Sequence, residues 1–177
     1  MNANQQLISS LIREVPDFPK PGVVFKDITP LLSDAHGYRV AIEELAATAP
    51  PRIDVVVGME ARGFIFAGPV AIQLGAGFVP VRKPGKLPGD VYQQTFSLEY
   101  GHETLEVHRD AIRPGARVLV VDDVLATGGT IAATAELLRK LGAELVGVSV
   151  LMELSFLNAR ERLPAHGVTQ TASVLTV

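Results

Sequence analysis

Short apolar runs rich in β-branched residues recur along the chain, and they limit its fold more than any other feature. We interpret four of them as strands, at 54–57, 78–81, 118–121 and 145–152. Several are too continuously apolar for a sheet that has one face in water. Between the last two, apolar residues at helical spacing fill 130–141, and Gly142 supplies a stop. This strand–helix–strand order predicts an α/β fold, a three-layer domain with a mostly parallel sheet.

The segments between and before these runs are less regular. A second helix is predicted at 64–74, where Pro69 should kink the helix or delay its regular start. The segment 82–101 holds two Pro-Gly pairs beside basic residues, so we expect a long mobile excursion, and a candidate lid, instead of a packed element. Polar and apolar residues alternate at 104–107, which predicts a strand, and 5–13 has a helical pattern.

Composition narrows the class of protein. A chain of 177 residues with 47% hydrophobic content suits one domain. A net charge of -3 argues against a broad cationic face for nucleic acid. No apolar run reaches the roughly eighteen residues of a membrane span, and 1–15 lacks the pattern of a secretory signal. Since the chain has no cysteine, disulfides, a thiolate nucleophile and a Cys-based zinc site are excluded. We expect a cytoplasmic protein.

The run 118–130 places Asp122 and Asp123 at the end of a buried strand, just before a small-residue turn and a helix. Ligands of α/β sheets sit beyond the carboxyl ends of the strands. Carboxylates there can accept hydrogen bonds from ribose hydroxyls or hold the hydration shell of a metal ion. Glycine backbone N–H groups and threonine hydroxyls at a helix start suit a phosphate. The residues of this expected phosphate loop are Ala126, Thr127, Gly128, Gly129 and Thr130.

An acidic pair followed by Gly-Gly can also be a solvated turn and helix cap. The full run 118–130 favours the ligand site, because it resembles the phosphoribosyl pyrophosphate signature of type I phosphoribosyltransferases. Four further segments are similar to adenine phosphoribosyltransferases, at 21–30, 58–66, 82–89 and 97–101. The resemblance implies the reaction of adenine with phosphoribosyl pyrophosphate to give AMP and pyrophosphate, in purine salvage. It also implies Mg²⁺ as cofactor, a cytoplasmic homodimer, and no nucleic-acid or membrane partner.

The resemblance assigns roles to basic residues of the chain. It puts Arg62 on the loop that binds pyrophosphate, where a forked guanidinium can donate two parallel hydrogen bonds. Alone, Arg62 would be interpreted as a surface charge or a helix-start residue. Arg82 and Lys83 are placed near the pyrophosphate, and Lys86 is either a further contact or part of a solvated charge run. Relatives also imply a cis peptide bond in the turn 60–62.

The resemblance also assigns catalysis and base recognition. Glu99 is the catalytic acid or base, and Asp122, Asp123 and Arg62 complete the catalytic set. The residues implied to bind the base are Val24, Phe25, Lys26 and Leu154, with Phe25 stacking on the ring. We expect a single domain, 1–177, whose hood is formed by about 1–35 and 153–177.

Two other functions remain open. A transferase for a 6-oxopurine would share the phosphate loop, and only the base pocket would distinguish it. A regulator that binds phosphoribosyl pyrophosphate without catalysis would also share the loop. The candidate lid and Glu99 favour an enzyme.

Overall fold

The computed structural model describes residues 1–97 and 101–177, and these divide into two compact units, Met1–Glu44 and Leu45–Val177. The elements that begin in the first unit are α1 (Ala3–Ser10), β1 (Arg13–Pro16), β2 (Val24–Asp27), α2 (Thr29–Ser33) and α3 (Ala35–Ala47). The side chain of Asn2 caps α1 by accepting a hydrogen bond from the backbone of Gln5. β1 and β2 pair antiparallel. The helix predicted at 5–13 therefore ends earlier, and its last residue, Arg13, opens a strand.

The second unit holds the remaining elements of the described chain. They are β3 (Val55–Met59), α4 (Arg62–Leu74), β4 (Gly77–Val81), β5 (Val91–Ser97), β6 (His102–His108), β7 (Arg117–Leu125), α5 (Gly129–Lys140), β8 (Glu144–Glu153), α6 (Ala159–Arg162) and β9 (Thr171–Thr176). Five strands form a sheet in the order β4-β3-β7-β8-β9, and every neighbouring pair is parallel. The predicted α/β fold with a parallel sheet is confirmed.

Both faces of this sheet are covered, which explains the continuously apolar runs. On one face Val57 and Val120 belong to a buried cluster that includes Ile131 and Leu138 of α5. On the other face β3 approaches α4 so closely that a Cβ on Gly58 would lie 2.6 Å from the Cβ of Ala67. Glycine is thus required at position 58, where helix and strand pack in direct contact.

Two expectations about helices and loops are wrong. α4 begins at Arg62 and is helical through Pro69, so proline does not delay its start; burial of Phe66 and Val70 along the helix outweighs the intrinsic preference of one residue. The segment 91–97 is a packed strand, not an excursion, because β5 pairs with β6 and its Phe96 packs on the buried cluster.

One strand is longer than predicted, and another was not predicted. β7 continues to Leu125, since Val124 and Leu125 pair with Met152 and Glu153 of β8, so Asp122 and Asp123 lie within the strand and not after it. β9 joins the sheet beside β8 and thus belongs to the core of the second unit. For the other residues, the division into a core and a hood formed by about 1–35 and 153–177 stays a prediction.

Candidate active site

A cavity of about 210 Å³ opens where β3 and β7 end. One wall is the turn from β3 into α4, and the other runs from the end of β7 into α5. The lining residues of the cavity are 59–63, 122–128, 130 and 131. Because β3 and β7 are parallel neighbours, their carboxyl ends bring two segments that are distant in sequence to one place. The peptide bond between Glu60 and Ala61 in the first wall is cis, as expected.

The acidic pair and the arginine of the turn meet in this cavity. Arg62 Nε lies 2.8 Å from Asp123 Oδ2, and Asp123 is only 5% exposed. The guanidinium of Arg62 remains partly open to solvent. A buried carboxylate held by a single cation can exchange that partner for another donor without being left unpaired. Asp123 can therefore accept hydrogen bonds from a ligand when Arg62 turns to an anion.

Asp122 has a different environment from its neighbour. Its Oδ1 accepts a hydrogen bond of 2.9 Å from the backbone N–H of Asp123. Burial raises the pKa of Asp122 well above its usual range, and the adjacent Asp123 carboxylate raises this pKa further. Gly63, the second residue of α4, packs against Asp122: a Cβ on Gly63 would lie 2.8 Å from Asp122 Oδ1. The position of Asp122 therefore depends on the absence of a side chain at position 63.

The phosphate loop joins β7 to α5. Gly128 caps the helix with φ +85°, a conformation that favours glycine. Helical structure starts at Gly129, so the backbone N–H groups of the first turn have no partner within the helix. These groups, together with the positive end of the helix dipole, can bind an anion. Ala126, Thr127, Gly128 and Thr130 line the cavity with the acids, while Gly129 lines an adjoining cavity of about 430 Å³.

One carboxylate that the sequence reasoning did not assign connects the turn to the basic segment. Glu60 Oε1 accepts a 2.5 Å hydrogen bond from the backbone N–H of Lys83 and lies 3.4 Å from Arg82 Nε. Lys83 Nζ lies 2.5 Å from Glu103 Oε1, and this hydrogen bond raises the pKa of Lys83. Arg82 and Lys83 are thus anchored beside the wall of the cavity through Glu60, although neither lines it. No sequence pattern marks Glu60, because its partners come from the segment after β4.

Comparisons with known proteins identify the family of the chain. A family model described as phosphoribosyl transferase domain matches residues 32–172. Across all 177 residues the chain is 66% identical to the adenine phosphoribosyltransferase of Cutibacterium acnes, whose whole length is covered. The chain belongs to the adenine phosphoribosyltransferase family.

Solved structures of the family superpose on this chain over nearly its whole length. The adenine phosphoribosyltransferase of Thermoanaerobacter pseudethanolicus has a TM-score of 0.93 and 48% identity, with 98% of this chain and 99% of that chain covered. The Saccharomyces cerevisiae enzyme, solved with an imino-altritol bisphosphate and adenine, has a TM-score of 0.90 and 35% identity, with 99% and 100% covered. Both the fold and the recognition of the family from the sequence are therefore confirmed.

The structure describes all but one of the other residues assigned from the adenine phosphoribosyltransferase resemblance, and none of those described is among the residues that line this cavity. Val24, Phe25 and Lys26 form most of β2 in the first unit, where Phe25 meets Phe18 edge to face at 5.2 Å. Leu154 follows β8 in the second unit. Lys86 is exposed and is not among the residues that line the cavity. Glu99 lies outside the described residues.

The described part of the chain has neither a metal-binding cluster nor a membrane-spanning helix. Within 1–97 and 101–177 no three His, Asp or Glu side chains gather into a group that could hold a metal ion. None of the helices in the same residues is long and apolar enough to cross a membrane.

Proposed function

We propose that this chain transfers the 5-phosphoribosyl group of phosphoribosyl pyrophosphate to adenine, giving AMP and pyrophosphate in purine salvage. The observation that carries the proposal is the convergence of Arg62, the acidic pair and the phosphate loop in one cavity. A cation for a diphosphate, carboxylates for ribose hydroxyls and free N–H groups for a phosphate are complementary to the three parts of this substrate.

Substrate binding rearranges the ion pair of the cavity. Arg62 leaves Asp123 and turns its guanidinium to the pyrophosphate, so that Asp123 is free to accept a ribose hydroxyl. Arg62 stays paired with an anion, and the buried Asp123 carboxylate keeps a hydrogen-bond donor in place of its cation. Arg62 then stabilises the negative charge that grows on pyrophosphate as its bond to C1 of ribose breaks. Arg82 and Lys83 add positive charge on the same side, held there by Glu60.

The acidic pair holds the ribose in place while its bond to pyrophosphate is exchanged for a bond to adenine. The C1–O bond to pyrophosphate breaks, the bond from C1 to N9 of adenine forms, and the N9 proton leaves the base. The sugar carries oxocarbenium character between these events, as at other anomeric carbons. Asp122 and Asp123 hold the ribose hydroxyls, and Ala126 to Thr130 hold the 5-phosphate, so the sugar is fixed at both ends.

Magnesium fits the donor set of the cavity as a hydrated ion. Mg²⁺ prefers oxygen ligands, retains several waters and commonly binds through one or two carboxylates together with substrate phosphates. The carboxylates of Asp122 and Asp123 would hold its water ligands, and the ion would neutralise charge on the leaving pyrophosphate.

We assign adenine recognition to the backbone of Val24 and Lys26, to the ring of Phe25 and to Leu154. Glu99 accepts the N9 proton that leaves the base. Glu99→Gln keeps the shape of the side chain but removes the proton acceptor, so kcat should fall by about 10²-fold. The matched control is Glu161→Gln, an exposed position on α6. Full activity of Glu99→Gln would remove Glu99 from the mechanism.

We also propose a cytoplasmic homodimer. Ile72 on α4 is 83% exposed and Phe78 on β4 is 39% exposed, which leaves apolar surface on neighbouring elements. Large apolar side chains on such a surface suit a second copy of the chain. Ile72→Glu should lower the molar mass measured by light scattering to that of one chain, and an unchanged mass would exclude this surface from the interface.

The deciding experiment is the base dependence of pyrophosphate release from phosphoribosyl pyrophosphate. Adenine should be turned over, whereas hypoxanthine, guanine and xanthine should not, because backbone groups matched to an amino edge are left unpaired by an oxo edge. Turnover of hypoxanthine alone would identify a 6-oxopurine transferase. Binding of phosphoribosyl pyrophosphate without turnover of any base would identify a non-catalytic regulator.

A further inference from the structure

An ion pair between the buried Glu153 and the partly exposed Arg160 lies at the end of β8, outside the proposed substrate site. Arg160 Nε donates to both carboxylate oxygens of Glu153, at 2.7 and 2.9 Å, and its Nη2 donates to Oε2 at 2.7 Å. Ser173 Oγ donates to the same Oε2 at 3.0 Å. Arg160 Nη1 also donates to the backbone oxygen of Thr171 at 2.5 Å. The pair therefore joins the end of β8 to β9 and to α6.

The two partners of the pair differ in burial, since the side chain of Arg160 is 46% exposed. Glu153 is 5% exposed, and the hydrogen bonds from Arg160 keep its pKa below the ordinary value. Such a pair often contributes no more to stability than apolar side chains of similar size would, because the buried carboxylate loses its hydration. What such a pair does provide is a fixed geometry, since a guanidinium fork fits a carboxylate in few orientations.

One neighbour of the pair lies against the phosphate loop. Ala159, which precedes Arg160, is buried behind Gly128: a Cβ on Gly128 would lie 3.3 Å from Ala159 Cβ. Leu163, just after α6, lies behind the same glycine, with its Cδ2 at 3.4 Å from that Cβ position. α6 and Leu163 thus pack against Gly128, and the hydrogen bonds of Arg160 connect α6 to β8 and β9.

The other neighbour is the residue assigned to the base. Leu154 follows Glu153 directly, and its backbone N–H donates to the oxygen of Leu125 at 2.9 Å. Leu125 is the last residue of β7 before the phosphate loop. On the other side, Val177 N–H donates to the oxygen of Glu153 at 2.9 Å. Arg160 therefore binds the side chain of Glu153, which directly precedes Leu154. The backbone hydrogen bonds of Glu153 and Leu154 determine where Leu154 leaves the sheet.

We propose that Glu153 and Arg160 are positioning residues of the substrate site, which hold the phosphate loop through α6 and Leu154 through the end of β8. The inference rests on the proposed function for the identity of the ligand. Neither residue touches the substrate. Each acts through a neighbour, so the predicted loss is in affinity for phosphoribosyl pyrophosphate through the loop and in affinity for adenine through Leu154.

The test separates positioning from stability with a double variant. Arg160→Met leaves the Glu153 carboxylate buried without its cation and should destabilise the fold. Glu153→Met combined with Arg160→Met removes both charges and should recover the stability, because no carboxylate is then left buried without its cation. Arg160→Lys keeps the charge but loses the fork. Arg139→Met and Arg139→Lys are matched controls, since Arg139 pairs with Glu136 on an exposed face of α5.

Three quantities are measured for each variant: urea unfolding, the Kd for phosphoribosyl pyrophosphate by calorimetry, and hydrogen exchange of the amides at 126–130 and at 118–121. If the pair positions the loop, the double variant is as stable as the wild type yet binds about 10-fold more weakly, the lower end of the range for residues that support metal ligands. Its amides at 126–130 should exchange faster while those at 118–121 do not change. Arg160→Lys should weaken binding in the same direction, and the Arg139 variants should match the wild type.

Wild-type Kd and wild-type loop exchange in a stable double variant would overturn the proposal. If the double variant does not fold, Arg160→Lys is tested by the same two measurements. The proposal would then be overturned if Arg160→Lys had the same Kd and the same loop exchange as Arg139→Lys. Failure of the proposed function is distinguishable, since it would show as a wild-type chain that binds no phosphoribosyl pyrophosphate or turns over no base. Loop exchange still reports on positioning in that case.

Discussion

Gly63→Ala is the smallest change that should disturb the acidic pair. The added Cβ would lie 2.8 Å from Asp122 Oδ1, whereas ordinary van der Waals contact begins at 3.4 Å. The added Cβ would lie 3.5 Å from the oxygen of Val121, which is ordinary contact, so the clash is with Asp122 Oδ1. The carboxylate of Asp122 must therefore move, and its hydrogen bond from the backbone of Asp123 is strained or lost.

The change in the free energy of unfolding combines three contributions. Overpacking of a buried position costs about 1–3 kcal/mol. Loss of the hydrogen bond to Asp122 costs about 1 kcal/mol. Replacing glycine by alanine in a helix returns about 1 kcal/mol. The variant should thus be about 1–3 kcal/mol less stable, and a loss of about 2 kcal/mol lowers Tm by roughly 4–8 °C in a chain of this size.

Activity should fall by more than stability alone would explain. Since a misplacement of about 1 Å in a positioned group can cost about 10²-fold, we expect kcat/KM for phosphoribosyl pyrophosphate to fall by about 10- to 100-fold at a temperature where the variant is folded. The assay is pyrophosphate release with adenine, beside thermal unfolding followed by circular dichroism. The matched control is Gly77→Ala at the opposite end of the sheet, where a Cβ would meet nothing closer than 3.8 Å. Unchanged Tm and unchanged kcat/KM in Gly63→Ala would refute the reasoning.

Two further predictions concern Asp122 and Gly128. Because the pKa of Asp122 is raised in the folded chain, the folded state holds this proton more tightly, and the wild type loses stability as pH rises above the unfolded value of about 4. Asp122→Asn should therefore gain stability over the wild type between pH 4 and 7 in urea unfolding while losing turnover, and a pH-independent difference would contradict this. Gly128→Ala forces a φ of +85° on alanine and should lower stability by about 1–2 kcal/mol, together with affinity for phosphoribosyl pyrophosphate. Calorimetry that gives the wild-type Kd would count against the loop as the phosphate site.

The sheet could be predicted wherever strands are continuously apolar, as at 118–121, since a strand that is buried on both faces is apolar at nearly every position. β9 could not be predicted in this way, because Thr171, Ser173 and Thr176 interrupt its apolar residues. The continuation of β7 was also hidden, since aspartate is rare in strands and Asp122 and Asp123 are held there by pairing with β8.

The candidate site could be predicted where its chemistry is local in sequence. The phosphate loop is one continuous run, so its glycines and threonines are readable together. Glu60 and Arg160 could not be found this way. The partners of Glu60 lie on the segment after β4, and those of Arg160 lie on β8 and β9, so their meaning depends on tertiary packing alone.

The two walls of the cavity meet only because Val55 pairs with Val118 and its successors along β3 and β7. Pairing of parallel strands so far apart in the chain forms late and slowly during folding, and no fragment that lacks one strand can contain both walls. A ligand of this cavity therefore binds the folded chain and not the unfolded one, and at 100 times its Kd it adds about 2.7 kcal/mol to the free energy of unfolding. Proteolysis acts on the opened chain. Abundant substrate should thus prolong the lifetime of the protein, and scarcity should expose it to degradation.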